Sequence, residues 1–145
     1  MPETYEVRVA ADPDDLKAYY SVRHEVFVVE QKVPAELEYD AHDADAVHVL
    51  ATGPGGALGA GRLLLGADGT GVLGRLAVTG ASRGLGIGVA LVRAIEDEAR
   101  RHGLSAVELH AQTHAVGFYE RLGYTPFGAE YEEAGIPHLS MRRVL

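Results

Sequence analysis

The chain has no cysteine among its 145 residues. That excludes disulfides, thiolate metal sites and a cysteine nucleophile, and it accords with a cytoplasmic location. No run approaches the ~18 consecutive apolar residues that a membrane-crossing helix needs, so no membrane partner is expected. Met1-Pro2-Glu3 lacks the basic-then-apolar opening of a secretory signal. Positive charge is scarce as well: 13 Lys and Arg stand against 21 Asp and Glu, a formal net charge of −8. A general nucleic-acid binder needs a basic face, and this balance argues against one. Internal repeats, low-complexity tracts and linkers are missing too. With 47% hydrophobic residues, the chain reads as one domain, 1–145, able to bury a full core.

Glycine is concentrated where it carries information. Val72–Val89 reads V-L-G-R-L-A-V-T-G-A-S-R-G-L-G-I-G-V. An apolar run leads through a turn into Gly84, Gly86 and Gly88, with Arg83 just before them. An amphipathic helix follows, with Leu91, Val92, Ile95 and Ala99 on one side and Arg93, Glu96, Asp97, Arg100 and Arg101 mostly on the other. Gly103 stops it behind a basic last turn. The first amides of a helix lack intrahelical partners and lie at the positive end of its dipole. Glycine lets an oxyanion reach them without a Cβ in the way, and Arg83 adds a fixed positive charge. The expected ligand carries a diphosphate; a tight strand–helix connection is the alternative. A dinucleotide Rossmann site is disfavoured, because the motif lies mid-chain and no acidic residue ends the next strand.

A second constellation follows the strand-like stretch Ser105–Gln112. Thr113–Tyr124 reads T-H-A-V-G-F-Y-E-R-L-G-Y, with Ala115, Phe118, Tyr119 and Leu122 in a helical apolar stripe that Gly123 ends. On these two stretches the chain resembles the GNAT superfamily of acyl-CoA-dependent acyltransferases. Arg83-Gly84-Leu85-Gly86-Ile87-Gly88 is similar to that family's R/Q-x-x-G-x-G/A pyrophosphate loop. Leu76-Ala77-Val78 is similar to the strand whose backbone holds the pantetheine arm. Ala115-x-x-Phe118-Tyr119-Glu120-x-x-Gly123-Tyr124 is similar to its A-x-x-F-Y-x-x-x-G-F/Y box. Phe27–Asp40 and Glu133–His138 resemble the ElaA-like branch of that family. The resemblance implies acetyl-CoA as co-substrate, held by Leu76, Ala77, Val78, residues 83–88, Gln112, Phe118 and Tyr119. Gln112 stands where the family commonly has asparagine.

The coarse pattern is α+β. Strands are expected over Thr4–Ala10, Ala46–Thr52, Ala57–Leu65, Gly71–Val78, Ser105–Gln112, Tyr124–Phe127 and His138–Val144. Asp12-Pro13 starts a helix that runs to Phe27, Pro34–Asp40 is a short helical or looped acidic segment, and His114–Leu122 is helical. The resemblance implies the GNAT fold: a mixed sheet of about six to seven strands, about four flanking helices, and a splay between the fourth and fifth strands where the cofactor enters. It also implies pairing of two copies through the late strands.

Moving an acyl group from a thioester to an amine needs a neutral amine, a donor for the oxyanion and a proton for the thiolate. The Leu76–Val78 backbone is the natural donor, since splay frees an amide. By resemblance Tyr119 lies near the sulfur; a phenol of pKa ~10 stays protonated and can act as general acid. The alternative is a packed aromatic with its hydroxyl on a backbone carbonyl. Some members of the family carry a basic glutamate on the fourth strand, but Val72-Leu73-Gly74 has no carboxylate. The acidic segment Glu30, Glu36, Glu38, Asp40 and Asp43 is the next place to look, with Glu30 and Asp40 preferred as base or amine-orienting residues. A solvated acidic loop is the alternative. His48 and His110 suit proton transfer near pKa ~6.5, or structural hydrogen bonds. Arg23, Arg62 and Arg75 suit an anionic substrate group or internal ion pairs. His110-x-x-x-His114 has zinc-like spacing without a third ligand nearby, so no metal is expected.

The resulting expectation is an acetyl-CoA-dependent N-acetyltransferase that acts directly on a small, cationic amine, since no thiol is available to hold the acyl group. The alternatives are a non-catalytic acyl-CoA sensor and a peptide or protein N-acetyltransferase.

Overall fold

The computed structural model describes residues 4–66 and 68–145. Met1-Pro2-Glu3, on which the signal reading rests, lies outside the described residues. Strands β1 (Glu6–Val9), β2 (Val47–Gly53), β3 (Gly56–Leu65), β4 (Thr70–Val78), β5 (Ala106–Gln112), β6 (Thr125–Glu133) and β7 (Ile136–Val144) form one sheet. Its order is β1-β2-β3-β4-β5-β7-β6. Neighbours are antiparallel except β4 and β5, which are parallel. The α-helices are α1 (Pro13–Arg23), α2 (Ala35–Glu38), α3 (Ile87–Arg101) and α4 (Val116–Arg121).

Alternation along each strand decides what is buried where. On β2, Val49 and Ala51 join the larger core with Leu91, Val92 and Ile95 of α3, and with Tyr119 at α4. Leu50, between them, joins Tyr19 and Val22 of α1 on the opposite face. The sheet is therefore covered by α3 and α4 on one side and α1 on the other. Asp12 starts α1 as expected, accepting the Asp15 N–H at 2.8 Å with Pro13 in the first turn.

The helix expected to run to Phe27 changes character at Arg23. It widens into a π-helical segment, His24–Glu30, closed by a bond from the Gln31 N–H to the Val26 carbonyl at 3.0 Å. The wider turns bring Phe27 and Gln31 to the edge of a cleft in the sheet. The segment after it makes one turn, α2, and Asp40 then caps a short 3₁₀ turn, Ala41–Ala44.

That cleft originates in β4. Leu73 and Leu76 both pack on the α3 side although they are three residues apart, which strict alternation forbids. A bulge resolves it: Ala60 pairs with Ala77 but Arg62 pairs with Gly74, so β4 has one more residue than β3 across this step. Arg75 sits in the bulge with φ of 52°, in the left-handed region. Pairing with β5 runs from Thr70–Ala106 to Leu73–Leu109 and stops there. Beyond it the two strands part, as the fold expectation required.

The closing strands are longer than expected. Tyr124–Phe127 is only the start of β6, which continues to Glu133 past a register shift between Phe127 and Tyr131. Gly128 and the glutamates at 130, 132 and 133 break the apolar alternation that would have marked it. Ala134 and Gly135, with φ of 53° and 76°, make the two-residue turn into β7. Because β7 lies between β5 and β6, His138 faces Gln112 directly across the β5–β7 ladder.

Candidate active site

The gap between β4 and β5 is a cleft of about 630 Å³, walled by Leu76 and Val78 on one side and Ala111 and Gln112 on the other. The Thr79 N–H donates to Leu58 of the β3 side at 3.0 Å. Successive N–H groups alternate along a strand, so the Val78 N–H points the other way, into the gap. No β5 residue pairs there, and the donor is left for a ligand carbonyl.

One end of the cleft is the glycine turn. Gly86 caps the fifteen-residue α3 in the left-handed conformation, φ 81°, and no side chain caps the helix. The first bond back is from the Ala90 N–H to the Gly86 carbonyl at 3.1 Å. The amides of Ile87, Gly88 and Val89 therefore have no intrahelical acceptor. A Cβ at Gly84 or Gly86 would meet no atom within 4 Å, so open space lies in front of them. Uncapped amides, the positive end of a long dipole and open space fit a diphosphate such as that of coenzyme A.

Arg83 is not free at that end. Its terminal nitrogens hold both Glu30 oxygens, at 2.8 and 2.7 Å, and its Nε donates to the Val78 carbonyl at 3.1 Å. The fixed positive charge expected there is thus already matched. The same pair corrects the reading of Glu30. Its carboxylate lies at the phosphate end, and the hydrogen bond from Arg83 holds its carboxyl below the usual range.

Phe118 and Tyr119 close the opposite wall from α4. Tyr119 packs edge-on against Phe118 and Tyr124, and burial pushes its phenol above the usual range. The hydroxyl makes no hydrogen bond with any described residue, yet it is not among the sealed polar atoms; it opens on the cleft. A bond to a backbone carbonyl, the packed-aromatic alternative, is not made.

A second cavity, of about 400 Å³, continues past Phe27, Gln31 and Gln112, which line both. Gln112 forms the waist: its Nε2 donates to Gln31 Oε1 at 3.0 Å, and His114 Nε2 meets its Oε1 at 2.7 Å. Its amide is therefore committed to protein partners. The far wall carries Glu38, Asp40, Arg75, Glu133 and His138.

Within the acidic segment Glu36 is exposed, but Glu38, Asp40 and Asp43 are tied to arginines. Arg23, wholly buried, holds Glu38 and Asp43 at 2.7 Å each. Arg62 holds Asp40 at 2.7 Å and Asp43 at 2.9 Å, and Arg75 reaches Asp40 at 3.2 Å. Three guanidiniums neutralise three carboxylates, so these arginines are internal partners and not an anion site. Burial alone would raise the Asp43 carboxyl, but bonds from Arg23 and Arg62 outweigh it and bring it to about 2. Asp40 is lowered too, first by its bond from Arg62. A general base needs a free lone pair and a pKa near the working pH. Asp40 lines the acceptor cavity but meets neither condition, and Glu30 is held elsewhere.

Among the histidines, His48 lies under α1 against Tyr19, with Nε2 2.8 Å from the Asp43 carbonyl. His110 is exposed on β5 with Nδ1 2.7 Å from the Tyr131 hydroxyl. Neither lines the two cavities; His138 does. In the sequence it is marked only as the last residue of the ElaA-like stretch Glu133–His138. Its signal is topological, since only the insertion of β7 beside β5 brings it to the gap.

The acetyltransferase (GNAT) domain family matches residues 9–145. The uncharacterized N-acetyltransferase YjcF of Bacillus subtilis is 40% identical over 136 residues, covering 93% of this chain and 96% of that protein. The crystal structure of an acyl-CoA N-acyltransferase from Pseudomonas aeruginosa has a TM-score of 0.85 at 35% identity, covering 98% of this chain and 99% of that one. That of Escherichia coli ElaA has a TM-score of 0.84 at 30% identity, covering 97% and 99%. Among the described residues, no helix is long and apolar enough to cross a membrane. By sequence over nearly its whole length, and by a sheet parted at the same parallel pair of strands, the chain belongs to the GNAT acetyltransferase family and, within it, to the ElaA-like branch.

Proposed function

We propose that the protein transfers an acetyl group from acetyl-CoA directly to a small primary amine. One observation carries this reading: three sets of uncommitted donors meet in one cleft. They are the α3 amides, the Val78 N–H and the Tyr119 hydroxyl. Acetyl-CoA carries a diphosphate for the first, a thioester carbonyl for the second and, bonded to that carbonyl, a sulfur for the third. Acetyl-CoA, when bound, supplies the activated acyl group; the chain supplies position and protons.

The Val78 N–H is aimed where negative charge grows on the carbonyl oxygen, and it needs no reorganisation to act. Tyr119 donates toward the sulfur. Burial keeps its phenol protonated, so the proton is in place when the thiolate leaves. The amine approaches through the second cavity, on the other side of Gln112. An alkylamine arrives as an ammonium and must lose a proton before attack. The peptide-acetylating alternative drew its support from an open acidic segment, and the arginine pairs remove that support.

The test is free-thiol release from acetyl-CoA over a panel of small primary amines. The reading requires release that depends on the amine. Tight coenzyme binding without such release would make the protein a non-catalytic acyl-CoA sensor.

A further inference from the structure

We infer that His138 is the general base of the transfer, taking the amine proton on Nε2. The inference rests on the transferase reading and supplies the group which that reading lacks. His138 Nδ1 lies 2.7 Å from the Ile136 carbonyl oxygen. A carbonyl only accepts, so Nδ1 carries the hydrogen and the neutral ring keeps its lone pair on Nε2.

The residue is buried, but Nε2 is not sealed. Among the described residues, the buried side-chain polar atoms that lack both partner and access are Glu38 Oε2, His48 Nδ1 and Arg62 Nε. The access that Nε2 keeps is through the acceptor cavity, whose wall His138 forms. Its ring stacks on Tyr131, centroids 5.8 Å apart and planes 24° from parallel, which fixes its direction. The left-handed pair Ala134-Gly135 sets the hairpin that brings the Ile136 carbonyl under Nδ1. Across the ladder His138 faces Gln112, the waist residue, so the base stands on the acceptor side and Tyr119 on the coenzyme side.

The charged groups around the imidazole come from three directions. Glu133 of β6 has its Oε2 3.8 Å from Nε2. Glu38 and Asp40 follow the π-helical segment, and Arg75 comes from the β4 bulge. Asp40 and Arg75 answer each other at 3.2 Å, and Glu38 is held by Arg23. That leaves Glu133 to favour the imidazolium as it forms. The arriving ammonium first loses one proton through Nε2 to solvent; the nitrogen of the free amine then bonds to the acetyl carbon and the carbon–sulfur bond breaks. The hydrogen leaving nitrogen goes to Nε2, and sulfur receives the Tyr119 proton. Solvent removes the one and restores the other, so an amine N–H becomes a thiol S–H and nothing is oxidised.

The experiment compares the unaltered protein with H138Q, using ethylamine and hydroxylamine as acceptors at saturating acetyl-CoA. Hydroxylamine is already unprotonated at neutral pH and depends less on a base. H138Q is expected to bind CoA within twofold of the unaltered protein. It should lose about 10²-fold or more in kcat/KM with ethylamine and under tenfold with hydroxylamine. Added imidazole should rescue ethylamine turnover in H138A. Equal turnover by H138Q with ethylamine overturns the inference. Absence of amine-dependent release from the unaltered protein sinks the transferase reading itself. A readout free of activity is the long-range ¹H–¹⁵N spectrum of the unaltered protein: His138 is expected in the Nδ1–H tautomer. An Nε2–H tautomer contradicts the assignment even if H138Q fails to fold.

Discussion

Arg83 closes a two-pronged ion pair on Glu30, at 2.8 and 2.7 Å, beside the uncapped start of α3. Both side chains are about half exposed, so solvent screens the pair and it contributes little to stability. Its larger consequence is for the ligand. Glu30 places a negative charge beside a site built for phosphate and occupies the guanidinium that would meet it. E30Q should leave the melting temperature nearly unchanged and tighten CoA binding three- to tenfold, with a steeper salt dependence. It should also leave kcat within twofold, since Glu30 is not the base. Calorimetry and steady-state kinetics check both, and unchanged affinity would contradict the role of the pair.

Tyr119→Phe removes one oxygen from a packed ring and leaves the packing in place. Turnover should fall by about 10²-fold with CoA affinity within twofold. Because burial raises the phenol, it stays protonated through the neutral range, and no alkaline loss of rate from this group is expected below pH ~10. Unaltered turnover by Y119F would remove Tyr119 from the mechanism.

Gly86→Ala tests the helix start. No neighbour opposes the added methyl, so the stability cost is that of the left-handed backbone, about 1–2 kcal/mol. The methyl stands in the open space before the amides, and CoA affinity should fall at least tenfold. Chemical denaturation and calorimetry separate the two effects; a variant that loses stability yet binds as before would displace the phosphate site.

The Arg23–Asp43–Arg62 cluster sets the response to acid. The folded Asp43 carboxyl, at about 2, lies below the ordinary 3.8, so its stabilisation is complete above the ordinary value. It is lost as pH falls through 3.8 toward 2, about 2 kcal/mol in all. Asp43→Asn leaves two buried guanidiniums short of charge and should cost about 3–5 kcal/mol at neutral pH. Urea midpoints between pH 6 and 2.5 should show a shallower acid decline in D43N. An identical decline would assign acid sensitivity to other carboxylates.

The parts legible in the sequence were those encoded by neighbours along the chain. Gly84 to Gly88 and the periodicity of Leu91, Val92, Ile95 and Ala99 announce the cradle and its helix, because turn chemistry and amphipathicity are local. The parts hidden depend on partners far away. Arg23 sits on the buried face of α1, against the usual rule for charge, because Glu38 and Asp43 arrive from 15 and 20 residues later. Glu30 and Asp40 looked free for the same reason. The π-helical turn leaves no mark in the pattern Val26-Phe27-Val28-Val29, and β6 is masked by its glutamates. His138 acquires meaning only from strand order.

The central claim is met most directly by titrating coenzyme A into the folded protein in a calorimeter, beside the same titration into G86A. One-to-one binding by the unaltered protein, weakened at least tenfold by the methyl, is the predicted result. A flat trace from the unaltered protein, or equal affinity in both, would contradict the account.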